Sequence, residues 1–330
     1  MSPEAKAEIT WQFAKANETR NMRADDSQKE YRDDQRQDPL EHIALRCGVK
    51  VAFNHASPHW IAMIKIQIVE GLEVYSCLPA KKTTHPPVLF IHGAFAAGWM
   101  WTETLMPFLA QAGYPCYAVS LRGHGGSYGR DHIDWHSIAD YVEDVKLVAD
   151  WLGTPPVLVG HSMGGFVAQK YLEHHEVPGV ALICSVPPQG LIASQFHLLF
   201  QKPQLFMEIN NIMAGDYTDA NALREALFAG EVEETMLAAW LSRMQPESHR
   251  ALWDMSMFNL PSLHAMHRPP MLVLGAEHDV LVPAFLVQST AHSYGLPAHI
   301  FRNMGHAVSH EREWPLVGET LRDWLDDIRT

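Results

Sequence analysis

Residues 157–165 read Val-Leu-Val-Gly-His-Ser-Met-Gly-Gly, and Ser162 sits at the centre of a G-x-S-x-G pattern. A serine hydroxyl is a weak nucleophile until it is thrust clear of its surroundings toward a base. A sharp turn from a strand into a helix does this by straining the serine backbone. The flanking glycines suit such a turn, because a Cβ at Gly160 or Gly164 would collide across it. The N–H of Met163 would then open the helix and point at a developing oxyanion. The bare pattern also describes ordinary glycine turns. Here an apolar run precedes it and a helix-forming segment, Gly165–His174, follows it, which supplies the required context.

A serine of this kind needs an acid and then a histidine further along the chain. Leu272–Pro283 (LVLGAEHDVLVP) reads as an apolar strand, an acidic loop and the start of a helix. Asp279 lies just past the strand end, where its carboxylate would orient an imidazole. Glu277 is the rival, earlier and longer in reach. Gly305-His306 follows the last strand and precedes the final helix. His306 would act as general base toward Ser162 and then as general acid toward the leaving group. His310 lies one helical turn later, but no third ligand or HExxH pattern supports a metal, so none is expected.

A second oxyanion donor is expected after the apolar run Val88–Ile91, in His92-Gly93-Ala94-Phe95. The Ala94 N–H is the best candidate, with Gly93 allowing close backbone approach. Phe95, Trp99 and Trp101 offer aromatic walls for a pocket. Packing of the following helix is the competing reading, the stronger one for Trp101 and Phe95. Arg122–Ser127 (RGHGGS) is glycine-rich but lacks the GK[ST] ending of a phosphate loop, so it reads as structural.

These residues must be carried by an alternation of strands and helices. Met63–Val69 and Leu72–Cys77 read as strands around a Glu70-Gly71 turn. Short apolar runs at 88–91, 116–120, 156–160, 179–184, 271–275 and 299–301 suit strands buried on both faces of a parallel sheet. Tyr141, Val145, Val148 and Leu152 form one helical stripe, and Trp314, Val317, Leu321, Trp324 and Ile328 another. The class is therefore α/β, a doubly wound and mostly parallel sheet. Residues 187–266 break the alternation with Met, Leu, Phe and Trp at helical spacings. They read as a helical cap inserted over the carboxyl ends of the strands, where ligand crevices lie. Its apolar residues (Phe196, Leu198, Leu199, Phe200, Leu205, Phe206, Met207) suggest an apolar substrate, although most of them must pack the cap onto the core.

The 330 residues carry a net charge of −13, with 47% apolar residues and 19% charged. This is a globular composition, and the acidic balance argues against nucleic acid or a polybasic membrane surface. No apolar run reaches the ~18–20 residues of a membrane span, and no signal pattern opens the chain. Cys47, Cys77, Cys116 and Cys184 are widely spaced and read as reduced, mostly buried thiols of a cytoplasmic protein. Residues 1–62 stand apart. The polar stretch 21–38 has too few apolar anchors to offset the entropy of ordering, so a flexible or weakly helical extension is expected. The compact domain then begins near Met63, with a core of 63–186 and 267–330.

HGAFAAGWMW, LRGHGGS, GHSMGG, GAEHDVLVP and GH at 305–306, in this order and spacing across 63–330, resemble the α/β-hydrolase superfamily. That resemblance implies Ser162 as nucleophile, Asp279 as acid, His306 as base, and Ala94 with Met163 as the oxyanion hole. It implies a serine hydrolase that needs no cofactor, here one cleaving a small or medium apolar carboxylic ester. Thioesterase, C–C hydrolase, amidase and perhydrolase chemistries keep the serine and stay open. Epoxide hydrolases and haloalkane dehalogenases of the superfamily use an aspartate there, which Ser162 argues against. A non-catalytic ligand-binding protein of the same fold is the reading from another class. Oligomeric state is not legible.

Overall fold

The computed structural model describes residues 64–213 and 220–328. The expectations for the N-terminal extension, Met63 and Cys47 lie outside the described residues. The strands are β1 (Ile64–Val69), β2 (Leu72–Cys77), β3 (Val88–Ile91), β4 (Cys116–Val119), β5 (Val157–His161), β6 (Val180–Ile183), β7 (Met271–Ala276) and β8 (Ala298–Phe301). They form one eight-stranded sheet in the order β1-β2-β4-β3-β5-β6-β7-β8. β1 pairs antiparallel with β2, and β2 with β4; all other pairings are parallel. The central strands β3, β5 and β6 are buried along their whole length, which explains their unbroken apolar runs.

The strand order fixes where a site can form. From β3 the chain proceeds to β4 on one side, then crosses back to β5 on the other. The loops leaving the carboxyl ends of β3 and β5 therefore diverge, and a crevice opens between them. The registers Val88↔Val157 and Ile91↔Gly160 bring the His92–Phe95 loop level with the turn at Ser162.

Between β3 and β4, a short 3-10 turn over Gly98–Trp101 leads into helix α1 (Leu105–Gln111). Helix α2 (Ile138–Leu152) starts at a capping box, in which Ser137 and Asp140 satisfy each other's backbone N–H groups. It stops at Gly153, which takes a left-handed φ of 68°. Its predicted stripe is the buried one: Tyr141, Val145 and Val148 lie in the core. Helix α3 (Met163–Tyr171) follows β5 directly.

Among the described residues, no strand lies between β6 and β7. That stretch holds α4 (Ile192–Gln201), α5 (Pro203–Met213), α6 (Ala220–Leu227), α7 (Glu234–Arg243) and α8 (His249–Trp253). The described residues of 64–232 and 244–328 belong to one compact unit, and α7 falls outside it. By itself α7 carries Glu234 in its first turn and Arg243 in its last, charges that complement the helix dipole. The expectation that most apolar residues of α4 and α5 pack inward is corrected. Leu198 and Leu205 are buried, whereas Phe196, Leu199, Phe200 and Met207 are exposed. Phe196 and Phe200, one turn apart on α4, stack on each other instead.

Helix α9 (Ala284–Tyr294) links β7 to β8, and α10 (Trp314–Asp327) closes the chain. Val317, Leu321 and Leu325 are the buried row of α10. No helix among the described residues is long and apolar enough to cross a membrane.

Candidate active site

Ser162 occupies the turn between β5 and α3, with φ 52° and ψ −117°. A non-glycine residue with φ in this range is strained, and such strain concentrates at functional sites. The strain is held by packing on both sides. A Cβ built on Gly160 would lie 2.4 Å from the Gly164 carbonyl oxygen, and one on Gly164 would lie 2.3 Å from the Ile91 carbonyl oxygen. Glycine at 164 thus lets the start of α3 rest against the end of β3. The same approach sets the His92–Phe95 loop beside Ser162: a Cβ on Gly93 would meet the Ser162 Cβ at 3.1 Å.

Met163 is the first residue of α3, so its N–H has no intrahelical acceptor. Ala94 is half-buried, and Phe95 after it turns the chain with φ 63°. Among the described residues, no backbone carbonyl accepts from the N–H groups of Ala94 and Met163. The Phe95 carbonyl accepts from the Gln245 N–H at 3.0 Å, which fastens the segment returning from the helical insert to this loop. Phe95 is half-buried; Trp99 is 6% exposed and Trp101 is fully buried on Phe90.

Asp279 and His306 come together from loops after β7 and β8. The His306 Nδ1 lies 2.7 Å from Asp279 Oδ2. The other oxygen, Oδ1, accepts the backbone N–H groups of Leu281 (2.9 Å) and Val282 (2.8 Å). A carboxylate only accepts, so Nδ1–H of His306 donates to it. Both side chains are almost wholly buried, which strengthens the pair. Glu277, the rival acid, is half-exposed and accepts from the Asn303 N–H at 3.1 Å.

His161, the residue before Ser162, reaches the backbone of His306. Its Nε2 lies 2.9 Å from the His306 carbonyl oxygen, and the two rings are 4.6 Å apart. Cys184, at the end of β6, completes the cluster. A ring nitrogen of His161, one of His306 and Sγ of Cys184 lie within 4.8 Å of one another. Burial pushes the Cys184 thiol well up, and the neighbouring Asp279 carboxylate, to which it hydrogen-bonds, adds to this. The sequence singled out neither residue for this place. His161 fills a variable position of the motif, and Cys184 ends an apolar run like any core thiol. Their only signal is position at the carboxyl ends of adjacent strands, which needs the strand order.

His92 braces the donor loop from below. Its Nδ1–H donates to the Gly93 carbonyl at 2.8 Å, and its Nε2 accepts the Leu121 N–H at 3.0 Å. Burial, and then the neighbouring His124, lower its pKa to about 3, so the ring is neutral. The Arg122–Ser127 loop is filled by protein groups. A Cβ on Gly125 would meet Glu73 Oε1 at 2.2 Å, so a carboxylate occupies the space a phosphate would need. Arg122 is held by Asp140 at 3.0 Å and Asp144 at 2.8 Å.

Curated relatives match part of the chain. A non-heme haloperoxidase from Rhodococcus erythropolis is 38% identical over 106 residues, 31% of this chain and 38% of that protein. Epoxide hydrolase 1 of Caenorhabditis elegans is 32% identical over 107 residues, 32% of this chain and 26% of that protein. The chain thus spans well under half the length of these relatives. Among solved structures, an esterase from Exiguobacterium antarcticum superposes with a TM-score of 0.59 at 21% identity, covering 79% of this chain and 98% of that one. That likeness carries the fold. Residues 88–315 match the model of the alpha/beta hydrolase family, and on a match of that extent the chain belongs to this family.

Proposed function

We propose that the protein is a serine hydrolase that cleaves a small or medium apolar carboxylic ester. One observation carries the reading: a strained Ser162 stands one residue from His161, which bonds the same His306 that Asp279 orients at 2.7 Å. Ser162 Oγ attacks the ester carbonyl while His306 Nε2 takes its proton. The N–H groups of Ala94 and Met163 hold the tetrahedral oxyanion. His306 then protonates the departing alcohol. Water, deprotonated by His306, attacks the acyl-enzyme and releases the acid and free Ser162. This cycle uses no cofactor or metal.

Phe95 and Trp99 border the donor loop and form the aromatic side of the pocket. In sequence, 187–266 is a helical insertion that divides a core of 63–186 and 267–330. The free, buried Cys77, Cys116 and Cys184 support a reducing, cytoplasmic setting. A fluorophosphonate probe should label the wild type and fail on Ser162→Ala. A folded wild type that takes no label sinks the proposal. A panel of p-nitrophenyl esters of rising acyl length, run beside thioesters and amides, fixes the bond cleaved. One second reading has specific support in the haloperoxidase relative: hydrogen peroxide replaces water at the acyl-enzyme and a peracid leaves. Peracid formation from acetate and peroxide, absent in Ser162→Ala, would establish it.

A further inference from the structure

His161 has no task in the chemistry above, yet it is buried at the end of β5 with its two nitrogens in unlike surroundings. Nε2 faces the His306 carbonyl at 2.9 Å, and a carbonyl only accepts, so Nε2 carries the proton. Nδ1 has no hydrogen-bond partner among the described residues. It is packed against Gly93: a Cβ built there would lie 2.9 Å from it. Charging the ring would leave a buried N–H unpaired.

Burial holds the His161 imidazole well below its ordinary range, and neighbouring His306, His310 and His92 act in the same direction. The bond to the His306 carbonyl opposes them without prevailing. Around the ring, β6 presents Cys184 and the loop after β8 presents His306. The 3-10 turn Val308–His310 contributes His310, and the loop after β3 contributes His92. None of these offers Nδ1 a hydrogen bond. The ring is therefore fixed as one neutral tautomer that always donates through Nε2.

We infer that His161 is a positioning residue: its Nε2–H ties the backbone of His306 to the strand end that carries Ser162, and so sets the distance from nucleophile to base. The inference rests on the roles proposed above for Ser162 and His306. The other anchors of the His306 loop lead elsewhere. Gly305 N–H donates to Glu311 at 2.7 Å, and Ala307 N–H to the Leu227 carbonyl at 2.8 Å. Among the described residues, the His161 bond is the hydrogen bond given between this loop and β5. A displacement near 1 Å at reacting groups costs about 100-fold in rate, so such a tie is felt in kcat.

The test compares His161→Gln, His161→Asn and His161→Phe with wild type. Each is checked for folding by circular dichroism and thermal melting. The readouts are kcat, KM and the fluorophosphonate labelling rate across pH. A glutamine amide reaches to the place of Nε2, an asparagine amide stops a bond short, and phenylalanine keeps the ring without a donor. Gln should stay within about 3-fold of wild-type kcat with an unmoved acid limb, because His161 does not titrate. Asn and Phe should lose on the order of 100-fold in kcat with KM unchanged. Equal activity in folded Asn or Phe overturns the inference, as does a Gln variant impaired as badly as Asn. A shifted acid limb in Gln overturns the neutral tautomer. An unlabelled wild type would instead bring down the assignment of Ser162, with this inference following it.

Discussion

At Asp279 the two carboxylate oxygens have separate work. Oδ1 is tied to the backbone of Leu281 and Val282, so Oδ2 faces His306 without freedom to swing away. Of the two acids that the spacing in sequence left in competition, Asp279 makes this contact. Glu277 spends its carboxylate on Asn303 at the surface. Asp279→Asn should lower kcat by about 10³–10⁴-fold, because the wrong histidine tautomer is then favoured. Glu277→Gln should leave kcat within about 2-fold, since it loses only an exposed contact. Steady-state rates on one p-nitrophenyl ester measure both, and the reverse ranking would reassign the acid.

The element that matters most is the turn from β5 into α3, and its glycines differ in kind from those that end helices. Gly164 sits under the carbonyls of Ile91 and His92, at 2.3 and 2.5 Å from a built Cβ. These are backbone atoms that cannot swing aside. Gly153, at the end of α2, has φ 68° with nothing within 4 Å. Gly164→Ala should cost more than about 3 kcal/mol or yield no soluble protein, as a core overpacking change does. Gly153→Ala should cost only about 1–2 kcal/mol, the left-handed backbone penalty alone. Urea unfolding of both variants checks the contrast; equal costs would mean that the turn relaxes. The G-x-S-x-G spacing revealed this element, but the atoms that close it belong to β3, about seventy residues earlier, and follow from the β3–β5 pairing.

Across the whole molecule, burial of histidine sets the response to acid. His92 drops from its ordinary 6.5 to about 3, and His161 is also held far below its ordinary value, both by burial first. Unfolded, both take up a proton below about pH 6.5; folded, they do not. The unfolded state then binds more protons, so stability is complete above about 6.5 and falls as pH falls. The expected slope approaches 1.4 kcal/mol per pH unit for each histidine, about the free energy of one proton. Glu247 joins at lower pH. Burial pushes its carboxyl up, but the His124 charge and the hydrogen bonds of His124, Ser248 and Tyr141 outweigh this and leave it below its ordinary 4.5. Its contribution is present above about 4.5 and lost beneath it. Urea unfolding between about pH 7 and pH 5 should show the histidine slope, with one proton less in His161→Gln. A flat profile would contradict the buried neutral rings.

The sequence by itself determined the strand and helix alternation, the place of the inserted helices, and the identities of Ser162, Asp279 and His306 as candidates. These rest on local patterns: apolar runs, glycine spacing and residue order. Tertiary structure decided what depends on neighbours distant in the chain. It placed Asp279 against His306 and Glu277 against Asn303, filled the RGHGGS loop with Glu73, and turned the Phe196–Phe200 row outward. It also set His161 and Cys184 against His306. Those outcomes follow from which strand ends lie side by side, and strand order is a property of the folded sheet that no local run of residues encodes.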